Sequence, residues 1–159
     1  MRTLILGIGN PILRDDGIGP RLVQELRGLI NDPDVTLQDT SLSGINLMEL
    51  LMGFDRAVII DAIQSGASPG KVHWLTPGDF AVQYRDIYSH HNMNLLQAIE
   101  LGRDLAQPMP EVITIVAIEA EDVTNFGEDL TSEVERALPM ALEQILAEIN
   151  KEKEYASLA

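Results

Sequence analysis

Three runs of the chain, TLILGI (3–8), RAVII (56–60) and VITIVAI (112–118), are apolar at nearly every position. A strand with one wet face would alternate, so continuous runs of this length read as strands buried on both faces. Between them the apolar period changes. Ile18, Leu22, Leu26 and Leu29 recur at helical spacing from Gly17 onward, and Ile45 to Leu51 reads as a further helix. Leu95, Leu96, Ile99 and Leu105 mark another helix over residues 91–105. Doubly buried strands alternating with helices predict a parallel sheet with a helical layer on each side.

Val35 to Leu37 reads as a shorter second strand, closed by Asp39-Thr40-Ser41, and KVHWL (71–75) as a fourth. The turn SPG (68–70) is too short for a crossover helix, so that fourth strand is expected antiparallel or at an edge. Ser132, with Glu135 in the same turn, fits a capping box opening a last helix to about Ile149, with a kink or break at Pro139. The expected fold class is α/β: a three-layer sandwich around a twisted, mostly parallel five-stranded sheet with one antiparallel strand and helices on both faces. A length of 159 residues suits a single domain over 1–150, and KEKEYASLA (151–159) is expected to fray.

Ligands of open α/β sheets bind outside the carboxyl ends of the strands. The polar residues expected there are Asn10, Asp15 and Asp16 after the first strand, Asp39 after the second and Asp61 after the third. His90 and His91 open the helix after the fourth strand. Two carboxylates and an imidazole suit Zn²⁺ or Ni²⁺ better than Mg²⁺ and leave coordination positions open. Simpler roles compete. Asp15 or Asp16 could cap the helix beginning at Gly17, and Asp39 is a common kind of turn residue. His90 and His91 cannot face the same way, and His73, inside the fourth strand, reads as structural. Asp61 follows an apolar strand, where an unpaired acid is costly, and that favours a functional role.

Composition narrows the chemistry. Cysteine is absent, which removes a thiolate nucleophile and a thiolate metal site. A net charge of −14 repels phosphate backbones and anionic lipid, so neither nucleic acid nor a membrane is an expected partner. Without a targeting segment or a membrane span, a cytoplasmic protein is expected. GIGNPI has Ile12 where a dinucleotide fingerprint needs its third glycine, and two acids follow where pyrophosphate charge would land. Asp39-Thr40-Ser41 has no second copy, as an aspartic-protease pair would need, and no HExxH occurs. A serine or thiol mechanism is not expected. The alternative to an enzyme is a non-catalytic module that binds a divalent metal or a nucleotide.

The residues as a set resemble the endopeptidases that mature nickel–iron hydrogenases. The opening G-x-G-N and the D-[DE]-x-x-G after it are matched by Gly7, Gly9, Asn10, Asp15, Asp16 and Gly19. Asp61-Ala62, Pro69-Gly70, a histidine before an amphipathic helix (His91 better than His90), and Gly127, Leu130, Thr131 and Val134 continue the likeness over nearly the whole chain. Asp16 stands where many relatives have Glu. The resemblance implies removal of a C-terminal extension from a hydrogenase large-subunit precursor after nickel insertion. By position, Asp16, Asp61 and His91 would contact that nickel, which arrives with the precursor and is not a resident cofactor; Zn or Cd would substitute in vitro. It further implies Asp16 and Asp39 as catalytic carboxylates, and Asn10, Thr40, Ser43 and Gly44 as substrate contacts. A monomer is expected.

Overall fold

The computed structural model describes residues 1–42, 44–83 and 90–158, with the side chains of residues 90–94 and of Ala156 outside the description. Five strands, β1 (Thr3–Ile8), β2 (Val35–Thr40), β3 (Arg56–Ile63), β4 (Val72–Leu75) and β5 (Val112–Glu119), form one sheet in the order β2-β1-β3-β5-β4. All neighbours pair parallel except β4, which runs antiparallel to β5 as its short connection requires. Every residue of β1 and β3 is buried, in keeping with their unbroken apolar runs.

Helices α1 (Ile18–Arg27) and α5 (Ser132–Leu158) cover one face, and α2 (Ile45–Leu51), α3 (Pro77–Gln83) and α4 (His90–Asp104) cover the other. Alternation along the strands feeds both layers. Leu4, Leu6, Ile8, Ile59 and Ile63 pack toward α2 and α4, while Ile5, Val58 and Ile60 pack toward α1 and α5. Each fully buried Leu or Ile contributes about 1.5–3 kcal/mol by leaving water, so the three central strands anchor the molecule.

Five features differ from the expectation. The segment after β4 forms α3, whose start is a reciprocal cap: the Asp79 amide donates to Thr76 Oγ1 (3.1 Å) and the Thr76 amide to Asp79 Oδ2 (3.2 Å). β3 extends to Ile63, so Asp61 lies inside the strand and not beyond it. Helix α5 runs unbroken through Pro139 to Leu158, because Val134, Leu138, Ala141, Ile145 and Ile149 keep it on the sheet. Within the segment expected to fray, Glu152 and Lys153 are held: Arg56 Nη1 reaches Glu152 (2.7 Å) and Lys153 reaches Asp32 (2.5 Å). The first helical carbonyl of α5 belongs to Thr131, which accepts the Glu135 amide (2.9 Å), so Ser132 is inside the helix and not its cap.

Candidate active site

From β1 the chain moves outward to β2 on one side and, later, to β3 on the other, so the strand order reverses between β1 and β3. That reversal opens a crevice at the carboxyl ends of the two strands. Gly7 is level with Ile60 and with Asp39, so Thr40 and Asp61 stand one residue further out, at the rim. Asp61 is 2% exposed, and alternation places it with Ile59 and Ile63 on the α4 face. Its Oδ1 accepts the Ala62 amide (2.9 Å).

The glycine loop after β1 is closed by its own chain and not shaped for pyrophosphate. Gly9 has φ +151°, and a Cβ there would overlap the Asp16 carbonyl oxygen. A Cβ on Gly7 would likewise meet the Gly19 carbonyl, so helix α1 packs where a phosphate would approach. The loop folds as successive turns, with the Leu13 amide on the Asn10 carbonyl (3.1 Å) and the Asp16 amide on the Leu13 carbonyl (3.1 Å). Asn10 Oδ1 accepts the Ile12 amide (3.2 Å), and the Asn10 amide donates to Asp16 Oδ2 (2.8 Å). Asp16, 6% exposed, is thereby aimed within its own loop.

The structure separates the two adjacent aspartates. Neither caps α1, whose cap residue Gly17 has no side-chain hydrogen bond. Asp15 is fully buried, and its carboxylate accepts the amides of Glu121 (2.9 Å), Asp122 (3.1 Å) and Thr131 (2.8 Å) and the Thr131 hydroxyl (2.7 Å). It therefore ties the first loop to the connection between β5 and α5. The same two loops also pair through Leu13 and Gly127, with the Arg14 amide on the Gly127 carbonyl (2.9 Å). Asp15 is structural, and Asp16 is the aspartate of this pair that remains a site candidate.

The other expected residues fall as follows. Asp39, next to the last residue of β2, is half-exposed, and its Oδ1 accepts Arg27 Nη2 (2.7 Å). Thr40 is buried, with Oγ1 accepting the Leu42 amide (3.0 Å). Gly44 has φ +66° and precedes α2; Ser43 lies outside the described residues. Helix α4 leads into β5, whose start is level with the start of β3, so α4 runs against the parallel strands and its first turn returns to the carboxyl edge. That turn carries His90 and His91, whose side chains lie outside the described residues. Among the described residues, no group of three His, Asp or Glu side chains is arranged to hold a metal ion.

A second polar cluster was not expected. Glu119, 1% exposed at the end of β5, accepts the Ser65 amide and hydroxyl, and its Oε1 lies 3.3 Å from His73 Nε2. Because β4 is antiparallel, it begins at the carboxyl edge, so His73 stands nearer that edge than a parallel strand would place it. Ser68 lies in GASPG (66–70), which has the letters of a nucleophile elbow. That elbow needs a strand–turn–helix, whereas this loop joins β3 to the antiparallel β4. A nearby Asp122 carboxyl is held down to about 2, first by the Asn125 side-chain amide, then by the Asn125 and Thr124 backbone amides, with Arg14 adding a smaller effect.

Residues 20–148 match the sequence profile of a family described as "Hydrogenase maturation protease". The chain belongs to the hydrogenase maturation protease family. The protease is 31% identical to the hydrogenase 2 maturation protease of Escherichia coli (strain K12) over 154 residues, covering 95% of this chain and 92% of that one. It is 27% identical to a putative hydrogenase maturation protease of Methanocaldococcus jannaschii, covering 93% and 96%. Its structure resembles the hydrogenase maturating endopeptidase HybD from E. coli with a TM-score of 0.84 at 30% identity, over 96% of this chain and 94% of that one. Peptidase is thus the enzyme class of this protein, and the three-layer sheet is the family's fold.

Proposed function

We propose that the protease removes the C-terminal extension of a nickel–iron hydrogenase large-subunit precursor once nickel has been inserted. The observation that supports this reading is that Asp16, in the loop that follows β1, and Asp61, inside the neighbouring β3, are both buried carboxylates. Carboxylates at a ligand-binding edge are suited to meeting a cation. The cation in this reading is the nickel carried by the substrate, with His91 at the head of α4 as the third contact. Carboxylate and imidazole donors without thiolate suit transient capture of such an ion better than permanent retention.

Water activation falls to a carboxylate, Asp39 or Asp16, or to polarisation of the scissile carbonyl by the ion. Asp39 is exposed enough to meet substrate, and Arg27 fixes its orientation. Thr40, Gly44 and Asn10, together with Ser43, are the substrate contacts in this reading. Among the described residues no helix is long and apolar enough to cross a membrane, and the proposed setting is a cytoplasmic monomer. Mass spectrometry of the nickel-loaded precursor after incubation tests the proposal: loss of one C-terminal fragment supports it. An intact precursor, with purified enzyme in excess, would refute it.

A further inference from the structure

The loops that follow β1 and β5 carry two large apolar side chains that the fold does not bury. Phe126 is 83% exposed and Ile12 is 47% exposed. The Gly127 amide donates to the Ile12 carbonyl (2.8 Å) and the Arg14 amide to the Gly127 carbonyl (2.9 Å), which sets Ile12 alongside Phe126. Single exposed apolar residues are ordinary on a protein surface, but two together on a fixed backbone mark an interaction site. The backbone here is fixed from both sides. Asp122 accepts the amides of Thr124 and Asn125 (3.1 Å each) and the Asn125 side-chain amide (2.8 Å), and Arg14 Nε donates to the Asp129 carbonyl (3.2 Å). Ile12 itself is held through its amide by Asn10 Oδ1. A partner meeting this ridge has no loop to order, which favours a binding anchor.

Resting on the proposed function, we infer that the Ile12–Phe126 ridge is a docking anchor for the hydrogenase large-subunit precursor, filling an apolar depression on that subunit bordered by Lys or Arg. Position argues for the substrate. Ile12 lies between Asn10 and Asp16 in the loop of the candidate site, where the Asn10 amide donates to Asp16 Oδ2. Whatever grips Ile12 therefore sits beside that site, where a peptidase receives its polypeptide, and the ridge extends the contact without entering the chemistry. Charge argues for the basic border. Glu128 and Asp129 follow the ridge directly, both exposed and, among the described residues, without a cation partner. Glu121 and Asp122 precede it, with Arg14 3.6 Å from Asp122. A second copy of the chain would bring the same acids, and a net charge of −14, against this rim, so self-association is disfavoured.

Biolayer interferometry with the immobilised nickel-free precursor tests the anchor without requiring cleavage. The wild-type protease should bind it, and Phe126→Ser and Ile12→Ser should each weaken binding about tenfold. Tyr155→Ser, which removes an equally exposed aromatic ring near the far end of α5, should bind as the wild type does. If Ile12→Ser is unfolded by circular dichroism, Phe126→Ser alone decides. Added salt should slow association of the wild type, and Glu128→Gln/Asp129→Asn should flatten that dependence. With the nickel-loaded precursor, the ridge variants should raise KM and leave kcat unchanged. No wild-type binding to the nickel-free precursor, or undiminished affinity in the folded ridge variants, would overturn the anchor. Light scattering that shows a wild-type dimer dissolved by Phe126→Ser would make the ridge an interface between copies and overturn it as well. Binding through the ridge by a protein that leaves the precursor intact supports the anchor and counts only against the cleavage reading. Cleavage with the same KM in the ridge variants overturns the anchor alone.

Discussion

Asp15 and Asp16 are neighbours of identical chemistry, both buried, and they do different work. Asp15 accepts four hydrogen bonds from residues more than 100 positions away, whereas Asp16 accepts the Asn10 amide within its own loop. Asp15→Ala should cost about 3 kcal/mol, since several charge-assisted bonds are lost inside the fold. For a chain of this size that lowers Tm by roughly 6–12 °C, read by calorimetry. Asp16→Ala should cost only about 1 kcal/mol yet abolish processing. A ligand role for Asp61 has its own check: about millimolar Ni²⁺ or Zn²⁺ should raise Tm by mass action, and Asp61→Asn should remove that rise. An equal rise in the variant would place the ions elsewhere on the acidic surface. The sequence could mark this pair of acids but not divide it. Which one turns inward is set by Thr131, and nothing local to Asp15 announces that partner.

At the level of elements, the apolar runs of β1, β3 and β5 and the helical spacing of α1 and α4 were legible because burial dictates them directly. Helix α3 was missed although Thr76-Pro77-Gly78-Asp79 carries a cap and a proline suited to a first turn. The reach of α5 was underestimated because its anchors, Arg56 and Asp32, lie on other elements. Deleting residues 151–159 removes Glu152 and Lys153 from these pairs and should destabilise the protein by about 1–2 kcal/mol, measured by urea unfolding. The loop from Glu121 to Asn125 makes a pH prediction. Asp122 is lowered from 3.8 to about 2, so its contribution is complete above about pH 4 and fades as pH falls through about 2. Tm should therefore fall less steeply over that window in Asp122→Asn than in the wild-type protein. Parallel slopes would show that the carboxylate is not held in this way.

Across the whole molecule, the sheet order sets β1, whose following loop carries Asp16, beside β3, which carries Asp61, while α4 returns His91 to the carboxyl edge. Listing polar residues at strand ends located this edge, but strand order, which decides what faces what, is not written in any local stretch. Nor could the sequence show that Arg27 holds Asp39, a pairing made by the packing of α1 beside β2. The central claim is that the carboxylates read a metal ion brought by the substrate, and it is tested by offering the purified protease two forms of one precursor, nickel-loaded and nickel-free. The account predicts release of the C-terminal fragment from the nickel-loaded form only, lost in Asp16→Ala and His91→Ala and retained in His73→Ala. Equal cleavage of the nickel-free precursor, or full activity in both ligand variants, would contradict it.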